Sequence, residues 1–165
     1  MATSPPDQET SRFDLAGIIY GIILATALIG AFSEQDLVGP VATFVAVMGS
    51  AVVFWLAHAY AHIVASGVVT REATTMAEVR ESLTRQVPLV LGALPPSLVL
   101  LLTPVGLLSE SNSQSLAMLA GIAMLTAFGF FAARRQGVGV LGTLILTATS
   151  AGLGIIIVAL KSAVH

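Results

Sequence analysis

Five apolar stretches of this 165-residue chain contain no Asp, Glu, Lys or Arg: residues 15–32, 41–66, 87–108, 116–133 and 138–160. All seven basic and all nine acidic residues fall outside them. No other feature constrains the fold as strongly, because a charge at the bilayer centre costs about 2.5–3.5 kcal/mol even on lenient insertion scales. Each stretch approaches or exceeds the roughly 20 residues with which a helix crosses a hydrocarbon core. A spanning barrel strand would instead alternate over about ten residues, so the continuous runs predict helices. The expected fold class is all-α, a polytopic transmembrane helix bundle of about five spans.

Composition agrees: 56% of residues are hydrophobic and 10% charged, against roughly a quarter charged in an ordinary soluble domain. A single transmembrane domain is expected over 14–165, preceded by a mobile tail at 1–13 that is rich in Pro, Ser and Thr and has no apolar periodicity. The leader carries Asp7, Glu9, Arg12 and Asp14, and the first apolar run is long for a signal-peptide core, so the first span is expected to be retained. A net charge of −2 offers no basic excess for nucleic acid, and the absence of cysteine excludes disulfides and thiolate chemistry.

Orientation follows from the basic residues. With the N-terminus inside, Arg12, Arg71, Arg80, Arg85, Arg134 and Arg135 are all cytoplasmic and only Lys161 is outside. The opposite loops carry Glu34, Asp36 and Glu110 and no basic residue. The C-terminus is then expected outside, and Arg134 and Arg135 act as interfacial anchors.

The segment between the second and third spans predicts a short cytoplasmic amphipathic helix at about 75–86. Thr75 and Glu78 fit a capping box, Glu81 and Arg85 have the spacing of an i,i+4 ion pair, and Met76, Val79 and Leu83 share one face. It reads as a gating or docking element at headgroup level, or as a connector that caps the bundle. Rows of small residues four apart, Gly17, Gly21 and Ala25 in the first span, Ala57, Ala61 and Ala65 in the second, and Gly139, Thr143, Thr147 and Ala151 in the last, predict close helix packing. Their partner helices can belong to the same chain or to a second copy.

The second span holds His58 and His62 at helical spacing, so both share a face in the cytoplasmic part of the span. Tyr20 and Tyr60 lie at similar depth. Pro95 and Pro96 remove two consecutive donors from the third span and predict a kink or interruption there. A polar pocket from these groups is expected at the cytoplasmic end. Imidazole titrates near neutrality, so the pair suits a proton relay, a pH-sensitive gate or part of a metal site. Metal is the weaker option, since no Asp, Glu or Cys lies in any span to complete the ligand set. Residues one turn apart also cannot supply both axial ligands of one haem. The plainer alternative puts Trp55, Tyr60 and His62 in an interfacial aromatic belt, with His58 hydrogen-bonded to a neighbouring helix.

At YGIILATALIG in the first span and VFWLAHAYAHIVA in the second, the sequence resembles a set of small bacterial multi-pass membrane proteins that share an FWLAH-Y-A segment. The resemblance covers about the first two spans. It implies a bacterial cytoplasmic membrane location and places Tyr20, Trp55, His58 and Tyr60 in family-like segments, with no function to carry over.

No nucleophile–base pairing, phosphate-binding loop or carboxylate pair is present, so a non-enzymatic role without cofactor or metal is expected. The first expectation is a small channel or transport unit, homo-oligomeric or joined to other membrane subunits, with a proton or ion pathway at His58 and His62. The alternatives are an accessory or scaffold subunit of a larger membrane complex and a lipid- or quinone-binding module. Membrane lipids are partners in every case.

Overall fold

A computed structural model describes residues 15–33, 38–70 and 75–163. The N-terminal tail, Arg12, Glu34, Asp36, Arg71 and His165 lie outside the described residues. Within them the chain is helical with no strand: α1 Leu15–Phe32, α2 Pro40–Thr70, α3 Met76–Leu98, α4 Glu110–Arg135 and α5 Val140–Ala163, with a 3₁₀ turn at Val99–Leu102. Four helical segments are long and apolar enough to cross a membrane, Leu15–Phe32, Pro40–Val68, Met76–Leu102 and Glu110–Arg135. The predicted fifth span is helical as well, but its apolar stretch, Val140–Ile156, is shorter.

Glycine decides how the helices meet. α1 and α3 cross in backbone contact, since a β-carbon on Gly21 would collide with the carbonyl of Leu89 and one on Gly92 with the carbonyl of Ile18. Gly121 of α4 is closed by the Thr26 side chain of α1, and Gly129 and Gly154 receive Ser150 and Ile122 across the α4–α5 contact. Close approach of this kind matters in lipid, where an apolar side chain gains little by leaving its surroundings and packing must supply the attraction. α1 touches all four other helices, whereas among the described residues α2 and α5 make no contact with each other. The core gathers Ala25, Ile29, Val47, Ala51, Leu89, Ala93, Leu100, Ala117 and Met118.

The region before the third span departs from expectation. Residues 75–86 do not form a separate surface helix: they are the first turns of α3, which runs unbroken through Pro88, Pro95 and Pro96. The predicted capping box is present, with Glu78 N–H donating to Thr75 Oγ1 and Thr75 N–H to Glu78 Oε2 at 2.8 Å. Each interior proline removes a backbone bond and on its own breaks a helix at a cost of about 3 kcal/mol or more. Burial of Leu89, Gly92, Ala93, Pro96 and Ser97 in the bundle holds this one together. The proline pair acts only downstream, where α3 tightens into the 3₁₀ turn from Val99. α4 ends at the C-cap Gln136 and Gly137, whose φ of 65° is the left-handed conformation usual after a helix terminus.

Candidate functional site

α2 and α3 pair antiparallel, and two side chains stitch them together. Trp55 Nε1–H donates to the Leu83 carbonyl at 2.8 Å, and the buried Ser82 hydroxyl donates to the Ala59 carbonyl at 3.1 Å. The predicted interfacial anchor Trp55 is thus a half-buried cross-helix clamp. Just beyond these bonds the helix ends part into a cleft of about 160 Å³, lined by His62, Ile63 and Ser66 of α2 and Glu78, Glu81, Ser82 and Arg85 of α3.

The cleft carries both signs of charge. Arg85 pairs with Glu81 at 2.6 Å, one turn apart on α3, and both side chains are more than half exposed. Exposed pairs of this kind contribute about 0.3–0.5 kcal/mol, so the pair orders the cleft wall more than it stabilises the helix. Glu78 uses one carboxylate oxygen in the capping box. The Ser66 hydroxyl donates to the Ile63 carbonyl at 2.9 Å. His62 is exposed, and its ring makes no hydrogen bond among the described residues.

The residues expected to share one polar pocket are dispersed. His58 is exposed on the open side of α2, where Nδ1 lies 2.9 Å from the Phe54 carbonyl and the ring packs at 6.3 Å from that of Phe54. A carbonyl only accepts, so Nδ1 carries the proton in this bond and Nε2 is the acceptor of the neutral ring. Tyr20 and Tyr60 are 60% and 69% exposed, and neither lines the cleft. Of the two histidines only His62 does. Pro95 and Pro96 lie within α3, away from the cleft-lining residues. Arg134 and Arg135 close α4, with Arg134 5.9 Å above the Phe130 ring.

Glu78, Glu81, Ser82 and Arg85 went unrecognised as partners of His62 because the 75–86 segment reads as a helix lying apart from the second span. The signal was the short link between Thr70 and Met76. It forces antiparallel pairing, and pairing that sets Trp55 opposite Leu83 and Ala59 opposite Ser82 brings His62 and Ser66 toward Glu78 and Glu81. Among the described residues no three His, Asp or Glu side chains are grouped to hold a metal ion. No family model, curated protein or solved structure matches the chain.

Proposed function

We propose that this chain is a non-catalytic accessory subunit of a membrane assembly, crossing the bilayer five times with its N-terminus cytoplasmic. It meets its partner through the open face of α2. The observation that carries this reading is the exposed strip Phe54, Ala57, His58, Ala61, Ala65 and Val68, one continuous helix face left uncovered among the described residues. A row of alanines four apart suits close backbone approach, and a histidine facing lipid is costly. The partner has a definite chemistry: an apolar transmembrane helix with small residues at the contact and a hydrogen-bond donor for His58 Nε2.

The interior of the bundle favours association over conduction within one chain. Among the described residues the buried Thr26, Thr43, Ser82, Ser97 and Ser113 each donate to a backbone carbonyl, and the two buried hydroxyl oxygens without a partner, Thr103 Oγ1 and Thr147 Oγ1, stand on different elements, one just after the 3₁₀ turn and one in α5. A second reading keeps the proton or ion pathway but moves it between two copies. It is favoured by the exposure of both His58 and His62.

The chain has no cysteine, so Ala61→Cys supplies a unique thiol on the strip. A benzophenone maleimide on that thiol inserts into C–H bonds when illuminated and needs no thiol on the partner, and photo-cross-linking in native membranes is expected to trap a second, different subunit. A homodimer, together with proton flux in proteoliposomes that the double change His58→Ala, His62→Ala abolishes, would move the assignment to the second reading. Absence of any adduct would overturn both.

A further inference from the structure

The cleft between the ends of α2 and α3 is ordered along its length. α3 carries Arg85, then Glu81 and Ser82, then Glu78, and it is free of charge from Gln86 to Leu98. At 1.5 Å rise per residue, Glu81 stands about 6 Å and Glu78 about 10 Å farther out than Arg85. On the other wall His62 precedes Ser66 by one turn in the same outward direction. If the charge-free part of α3 is in hydrocarbon, Arg85 starts at its boundary and reaches outward to Glu81, Glu78 lies farthest out, and the Ser82–Ala59 bond sets His62 on the facing wall level with the two carboxylates.

A glycerophospholipid presents its groups in that order: acyl chains, then a phosphate at the boundary, then whatever alcohol the phosphate carries. We infer that the cleft holds the headgroup of a membrane aminophospholipid, with the phosphate against Arg85 and the primary ammonium against the Glu81 and Glu78 carboxylates, across from His62. This rests on the membrane-crossing reading above and is independent of the partner proposed for α2.

The charge balance selects this ligand over its neighbours. A purely anionic headgroup would meet two carboxylates, and a bare cation would meet the Arg85 guanidinium. A zwitterion satisfies both ends at once. A primary ammonium donates hydrogen bonds to carboxylates, whereas a choline headgroup has no N–H to donate. The groups are free to act. Among the described residues Arg85 spends one terminal nitrogen on Glu81, Glu78 spends one oxygen on the cap, and the His62 ring has no protein partner. The Trp55 and Ser82 bonds just below the cleft hold its walls in place before any lipid arrives, which lowers the ordering cost of binding.

The test uses the full-length protein in mild detergent with equimolar phosphatidylethanolamine, phosphatidylcholine and phosphatidylglycerol of identical acyl chains, and reads retained lipid by native mass spectrometry. The wild type is expected to retain the ethanolamine lipid about five- to tenfold over the other two, a difference of the size one or two charge-assisted contacts confer. The double change Glu78→Gln, Glu81→Gln is expected to abolish that preference, and glutamine at 78 preserves the capping box. Arg85→Gln, which leaves both carboxylates in place, is expected to lower retention of all three lipids. Equal retention of the three lipids by the wild type would overturn the inference, as would an unchanged preference in the double variant at wild-type helicity. Displacement of the retained lipid by millimolar free phosphoethanolamine would reassign the cleft to a soluble ligand. A protein released from membranes without detergent would instead overturn the membrane-crossing reading itself.

Discussion

Gly21 and Gly92 have no room for even a methyl group, because the opposing atoms are the backbone carbonyls of Leu89 and Ile18, which cannot swing aside as a side chain can. Gly21→Val or Gly92→Val is therefore expected to destabilise the α1–α3 crossing by about 1–3 kcal/mol or more, the range for overpacking a tight contact. Gly49 is the control: nothing lies within 4 Å of its added β-carbon, and Gly49→Ala is expected to leave stability within about 1 kcal/mol of wild type. Thermal unfolding followed by fluorescence-detected size exclusion separates the two cases. Trp55 belongs to the same scale. Trp55→Phe keeps the ring but deletes the donor to Leu83, and the α2–α3 contact should weaken by about 0.5–1.5 kcal/mol, with proteolysis of the 70–76 link as its readout.

Among the elements, α1 has the bounds of its charge-free run, α4 begins at Glu110, six residues before the run expected from 116, and α3 takes in the segment at about 75–86 that was expected to stand apart. The boundaries of α1 coincide with the edges of a charge-free run, and those of α4 with a Ser109 cap and the closing Arg134, Arg135 and Gly137. Such signals are local and legible. In α3 local and tertiary terms conflict: three prolines argue for breaks, and packing against α1 overrides them. The capping box at Thr75 is the local signal that survived intact, so Thr75→Ala is expected to fray the first turn of α3 at a cost of about 1 kcal/mol. Faster hydrogen exchange at the Glu78 and Val79 amides would register it. Gly137→Ala places a β-carbon on a residue with φ of 65° and should cost about 1–2 kcal/mol at the α4–α5 corner.

For the molecule as a whole, antiparallel pairing of α1 with α4, α2 with α3 and α4 with α5 gathers Arg80, Arg85, Arg134 and Arg135 at one end and leaves Glu110 at the other. That end is the cytoplasmic one if the distribution of basic residues sets orientation. With no native cysteine to interfere, a membrane-impermeant maleimide on intact cells is expected to label Glu110→Cys and to spare Arg80→Cys until the membrane is opened. Labelling of Arg80→Cys alone would invert the topology.

Hydropathy alone determined where charge could stand, and with it the apolar stretches, the all-helical class and the local caps, because the penalty for a charge in hydrocarbon depends on position along the chain and little else. Which way each helix turned was decided only in three dimensions. Lipid is as apolar as the bundle core, so an inward and an outward face read alike in sequence. His58 and His62, one turn apart and read together as a pair, were parted in this way: His58 faces outward beside Phe54, while His62 meets the charged end of α3. The cleft itself existed nowhere in the linear pattern, since it forms only when a short link folds residues 62–66 back against residues 78–85.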